Sequence, residues 1–172
     1  MGVLSGNPKD EPLHYGEIFA IWEASTMAKG LVSSYNALKF HTGDMDLRAI
    51  LEDCIQQAQL EISELDEILI ANGITPTPKP PERPEAKLEE IPVGARFADL
   101  EIAAILSTNL AAGLVAASTA MGLSIREDVG ALFGKYHVTK AALGVTMLRL
   151  SKEKGWLIPP PLQIKRPEAV GV

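Results

Sequence analysis

Three histidines, one cysteine and a scatter of carboxylates are the side chains here with the most chemical reach. In a helical protein such groups point first to a carboxylate-bridged pair of metal ions. That site takes a glutamate from each of two helices and a Glu-x-x-His pair from each of the other two. The spacing is missing: the residues three before His41 and His137 are Leu38 and Gly134, and Glu11 stands three before His14 only with Pro12 between them. No metal, cofactor or catalytic residue is therefore expected. A serine, histidine and acid set, a phosphate-binding glycine loop and a zinc spacing are absent as well. Cys54 is the single cysteine, so an internal disulfide is excluded, and it falls within an apolar stripe that implies packing. His41, Asp44 and Asp46 group as a solvated turn does.

These residues must be positioned by helices. Residues 13–41 read as the first, with Glu17, Ile21, Ala24, Ala28, Leu31, Tyr35 and Leu38 on a core face flanked by Ile18, Met27 and Val32. A second row, Phe19, Trp22, Thr26, Gly30, Ser33, Ala37 and Phe40, is too apolar for a solvent face and is a candidate oligomer interface. Asp44 is the expected N-cap of a second helix over 45–72, and Gly73 its stop. Residues 73–94 form a connector carrying Pro76, Pro78, Pro80, Pro81, Pro84 and Pro92, which can neither continue a helix nor enter a sheet interior.

A third helix is expected over 95–122. No charge occurs from Ile102 to Ile125, a length that would cross a bilayer. The run is instead weakly hydrophobic alanine, serine, threonine and glycine without an aromatic belt, so a helix buried on nearly all sides is expected and no membrane span. Ser124 and Glu127 have the spacing of a capping box for a fourth helix over 125–154, with Val129, Leu132, Phe133, Tyr136, Leu143, Met147 and Leu150 inward. Residues 155–172 read as an extended tail, with Trp156 and Leu157 against the bundle end.

The halves match in order. Gly30, Leu31 and Val32 correspond to Gly113, Leu114 and Val115, and the Gly73 and Pro76 stop to Gly155 and Pro159, the pattern of a duplicated helical hairpin. Helices of about 28 residues are about 42 Å long, whereas some 20 residues of polyproline-like chain reach about 60 Å. The connector can run the length of the bundle and make the second and third helices parallel. The expected fold is thus all-α, a single ferritin-like four-helix domain of two hairpins joined by a long proline-rich crossover.

In that arrangement Glu61, Asn109, His137 and Lys140 reach similar heights. A lysine in a core stripe needs a partner, so a Glu61–Lys140 ion pair is expected there, with a small-ligand pocket as the alternative. Glu17 faces the core in the first turn of its helix, where the dipole favours a carboxylate. A net charge of -6, with no concentrated basic surface, excludes nucleic acid and anionic membranes as partners. Met1–Pro12 carries no secretory pattern and Gly6 spoils a myristoylation site, so a reducing, cytoplasmic setting is expected.

The run from Glu17 through Ile18, Phe19, Ala20 and Ile21 to Trp22, then Ser25 to Ala28 and the proline-interrupted connector, resembles a ferritin-like family of unassigned function from spore-forming bacilli. Several of its members are labelled spore-coat proteins similar to coat protein F. The resemblance covers 13–161 and implies the fold and a coat or sporulation role, but carries over no catalytic residue. Together these readings point to a non-enzymatic structural or interaction protein. It would be made in the mother-cell cytoplasm, assemble into the coat, and pair with itself or with other coat proteins. The alternative is a metal- or ligand-binding bundle with oxidoreductase ancestry, using Glu17, Glu61 and His137.

Overall fold

The first three helices begin where a backbone N–H finds a local acceptor. The structure, a computed structural model, describes residues 11–163; the Gly2 and Gly6 readings and the end of the tail lie outside them. Helix α1 spans Tyr15–His41, α2 Met45–Ala71, α3 Asp99–Leu123 and α4 Glu127–Glu153. At α1 the His14 imidazole Nδ1 accepts the N–H of Gly16 at 3.0 Å, and Glu17 reaches back to the His14 N–H at 3.1 Å. Asp44 caps α2 through the N–H groups of Asp46 and Leu47, both at 3.0 Å. Gly73 and Gly155 end α2 and α4, each at φ +72°, a left-handed conformation that glycine adopts without strain.

Two expected helix starts are displaced. Residues 93–95 form a separate 3-10 turn, and α3 begins at Asp99 once Glu101 accepts the Ala98 N–H at 2.7 Å. The Ser124–Glu127 capping box does not form. Ser124 is the last residue of the α3 end, and its hydroxyl donates back to the Ala120 carbonyl at 2.7 Å.

The helix ends fix the topology. His14 bonds the Leu123 carbonyl at 3.0 Å and Thr42 donates to Asp99 at 2.6 Å, so α1 and α3 are antiparallel. Lys154 bridges Asp44 at 2.8 Å and Asp46 at 2.9 Å, so α2 and α4 are antiparallel too. With both hairpins antiparallel, α2 and α3 run the same way, and the connector must travel the length of the bundle. It does so against α1: Thr77 lies on Thr26 and Lys29 at one end, and Leu88 beside Gly43 at the other. A single long crossover of this kind is the connectivity of ferritin-like folds.

The core has two apolar ends and a narrow middle. Leu47, Leu51, Ile102, Leu106 and Met147 fill one end, joined by half-buried Trp156. Ile21, Leu65, Leu69, Val129, Phe133 and Tyr136 fill the other, and Ala28, Ala58 and Ile62 lie between. Helix α3 corrects the expectation of near-complete burial. Ile102, Leu106, Leu110, Ala117 and Ala120 face inward, but Ala104, Ser107, Ala111, Ala112, Val115 and Ala116 are exposed. By length and composition alone Val93–Leu123 could cross a membrane, yet only 28% of its apolar window is buried in the bundle. Small residues tolerate either environment, and their lack of charge does not report burial. Met27, expected beside the core, is likewise 61% exposed, and Leu157 stays 38% exposed.

Candidate functional site: a buried polar layer

The narrow middle of the core is where polar side chains meet. Glu61 on α2 is buried, and Lys140 on α4 donates to its Oε1, to which the Gln57 amide also donates at 3.0 Å. The lysine stem crosses Gly113 of α3, where a Cβ would lie 2.9 Å from both Cδ and Cε. A side chain at this position would have to displace the lysine stem. Its ammonium also sits 5.4 Å from the centroid of the Tyr136 ring, within cation–π range. One turn further along α2, Glu64 accepts the Tyr136 hydroxyl at 2.9 Å and the Lys135 ammonium at 2.5 Å.

Burial and these carboxylates set the protonation of the neighbours. The Tyr136 hydroxyl is pushed far above the ordinary tyrosine range by desolvation and then by Glu64. Desolvation lifts Tyr35 to about 12, with Asn109 beside its hydroxyl pulling the other way. Cys54 is pushed up to about 12 by the same cause, as buried packing implies. The two phenols and the thiol therefore stay neutral near pH 7.

The sequence-derived candidates fall into separate places. Glu61, Lys140 and Asn109 lie in this layer. His137 is half-buried beside Tyr136 and takes part in none of the contacts that organise it. Glu17 lies nearer the bundle end, about 20 Å from the level of Glu61 by helix rise, since it meets Arg126 on α4 whereas Glu61 meets Lys140. There it is fully buried and accepts the N–H groups of Ile125 and Arg126, both at 2.8 Å. Arg126 in turn forms a two-pronged pair with Asp128, which holds that carboxyl below its ordinary value. Glu17, Glu61 and His137 thus do not converge, and no group of three or more metal-ligating side chains occurs among the described residues.

A buried lysine escaped the sequence reading. Lys29 is 3% exposed and donates to Asp66 at 2.9 Å and to the Thr77 carbonyl at 2.8 Å, while Ser25 donates to the same carboxylate at 2.5 Å. The available signal was Ser25 and Lys29 one turn apart beside core residues Ala28 and Ile21. The crossover held this way covers part of the second row of α1: Thr26 bonds Thr77 at 3.0 Å, and Ser33 and Phe40 border a groove with Pro80 and Arg83. Trp22 and Ala37 are half-buried, whereas Gly30 and Phe19 remain exposed.

Fold and site together define a small all-α four-helix bundle whose central polar layer is closed by its own ion pair. The chain belongs to the family described as protein of unknown function (DUF3231), whose model matches residues 1–169. It is 49% identical over 166 residues to the uncharacterized protein YvdQ of Bacillus subtilis (strain 168), covering 96% of this chain and 98% of that one. It is also similar to the crystal structure of a "putative spore coat protein" from Bacillus halodurans C-125, at 49% identity and a TM-score of 0.91, covering 92% of this chain and all of the other.

Proposed function

We propose that this protein is a non-enzymatic structural or interaction component associated with the spore coat, made in the mother-cell cytoplasm. The carrying observation is the 49% identity, over the whole of the other chain, to the Bacillus halodurans protein described as a "putative spore coat protein". The central layer supports the non-enzymatic part: the ammonium of Lys140 occupies the carboxylate of Glu61 at the level where related bundles hold metals. We also propose self-association through exposed uncharged surface, namely Phe19 at the free end of the second α1 row and the small-residue face of α3. A shared origin of the two hairpins is supported by the matching glycine stops of α2 and α4.

Spore fractionation with a specific antibody tests the location. The coat fraction should carry the protein, and recovery solely from vegetative cytosol would overturn the assignment. Sedimentation should show a dimer. Elemental analysis of protein purified without chelator should find no stoichiometric metal, and a full equivalent of iron or manganese would return the reading to a metal-binding bundle.

A further inference from the structure

The two hairpins bury matching positions at one constant offset. Ile21, Ala28 and Tyr35 of α1 are buried, as are Ala103, Leu110 and Ala117 of α3, and Leu47, Cys54 and Leu65 of α2 match Val129, Tyr136 and Met147 of α4. This register stands one residue from the Gly30–Gly113 match of the sequence. It gives each hairpin an equivalent outer face. On the first, that face is polar and roofed: Lys29 pairs with Asp66 and donates to the Thr77 carbonyl, and Ser33, Asn36 and Gln59 border the groove that the crossover closes. On the second, Ala111, Val115 and Ser118 stand where the first has Lys29, Ser33 and Asn36, and Ala141 and Leu148 stand in place of Gln59 and Asp66. The pair that fastens the roof has become alanine and leucine. Val115 is accordingly 68% exposed and Leu148 43%.

The α3 and α4 rows of this face lie side by side. A Cβ on Gly134 would stand 3.6 Å from Met121 Cε, and Gly113 lies against Lys140, so Val115 is level with Val138. Charge is missing from both rows: α3 has none from Ile102 onward, and the exposed α4 positions from Val138 to Leu148 are uncharged. Lys140 turns its ammonium inward to Glu61, and His137 is half-buried. Two adjacent helices over about 30 Å offer about 600 Å². Two such faces together would bury about 1,200 Å², the lower end of stable protein interfaces. With a net charge of -6, copies repel wherever their acidic surfaces meet, and this face is free of that repulsion. We propose that the outer face of the α3–α4 hairpin seats the same face of a second copy, as a two-fold pair. The pairing rests on the self-association already proposed and narrows it to this face, without Phe19.

Sedimentation equilibrium of the intact protein tests it. The parent chain should be a dimer, and V115E/V145E should weaken it at least about a hundredfold, since unpaired carboxylates would stand in the seam. Phe19→Glu, on α1, should leave the dissociation constant within about threefold. Both valines are exposed, so the glutamates should not disturb the fold. A second readout avoids them altogether. Cys54 is buried and is the single cysteine, so Val145→Cys adds the one accessible thiol, and its maleimide labelling should slow several-fold as the concentration rises through the dimer range. A labelling rate independent of concentration overturns this surface. So does a dimer broken by Phe19→Glu and untouched by the glutamate pair, which leaves self-association standing. A monomer up to about 1 mM overturns both.

Discussion

The carboxylate of Glu17 accepts the backbone N–H of Arg126 at 2.8 Å, from 109 residues earlier in the chain. It accepts that of Ile125 at the same distance, so a side chain of the first hairpin caps a helix of the second. Removing it leaves buried donors without acceptors. Glu17→Ala is expected to cost about 2–3 kcal/mol and Glu17→Gln about half that, since an amide oxygen still accepts. Ser124→Ala should stay within about 0.5 kcal/mol, because its hydroxyl serves only the end of α3. Urea unfolding midpoints decide it. A large Ser124 effect with a small Glu17 effect would restore the local capping box.

That contrast shows what was legible in the sequence. The helices, the Asp44 cap and the crossover follow from local causes: apolar period, a side-chain acceptor, and prolines that refuse helix. The Glu61–Lys140 pairing could be anticipated because matched helix lengths fix relative heights. The Glu17 cap could not, since it depends on which ends of two hairpins meet. The exposed face of α3 was hidden for a different reason: alanine, serine and threonine carry no strong preference for either environment. Lys29 was invisible because its second acceptor, the Thr77 carbonyl, lies in the crossover.

Alkaline pH should loosen this core in two steps. Burial raises Cys54 from 9.0 to about 12 and Tyr35 from 10.0 to about 12. A group raised on folding contributes stability that is full below its unfolded value and is lost as pH rises through the folded one. The loss should begin above pH 9 from Cys54, steepen above pH 10 from Tyr35 and Tyr136, and continue toward pH 12. Cys54→Ala should remove the first step and leave the second. Unfolding free energies from pH 7 to 11 would show it, and a flat profile in the parent protein would contradict the burial argument.

Lys29 holds the crossover down, so its loss should register there before anywhere else. Lys29→Met strips Thr77 of its donor and leaves Asp66, whose side chain is 22% exposed, with only the Ser25 hydroxyl. The expected cost is about 2–3 kcal/mol, below the full penalty for breaking a buried pair because Asp66 keeps some water. Trypsin cannot report on the stretch nearest Thr77, since Lys79 and Arg83 each precede proline and its first site in the crossover is Lys87. A glutamate-specific protease acting after Glu82 and Glu85 should cut the variant several-fold faster under native conditions. Equal cleavage rates would mean that the crossover is held elsewhere.

Gly113 and Lys140 should show a reversal of sign. In isolation Gly113→Ala in a helix interior is worth up to about 1 kcal/mol of stabilisation. Here the new Cβ would meet Lys140 Cδ and Cε at 2.9 Å, and a stem tethered to Glu61 through its ammonium is expected to give way only at the expense of that pair. Displacing a buried charge from its partner outweighs the propensity gain, so Gly113→Ala alone should destabilise by about 1–2 kcal/mol. In a Lys140→Ala background, where the obstruction and the tether are both gone, the same change should stabilise by about 0.5–1 kcal/mol. A double-mutant cycle read by urea denaturation measures the coupling. Additive effects would mean that the lysine stem moves aside freely, and Gly113 would then have no part in setting the ion pair.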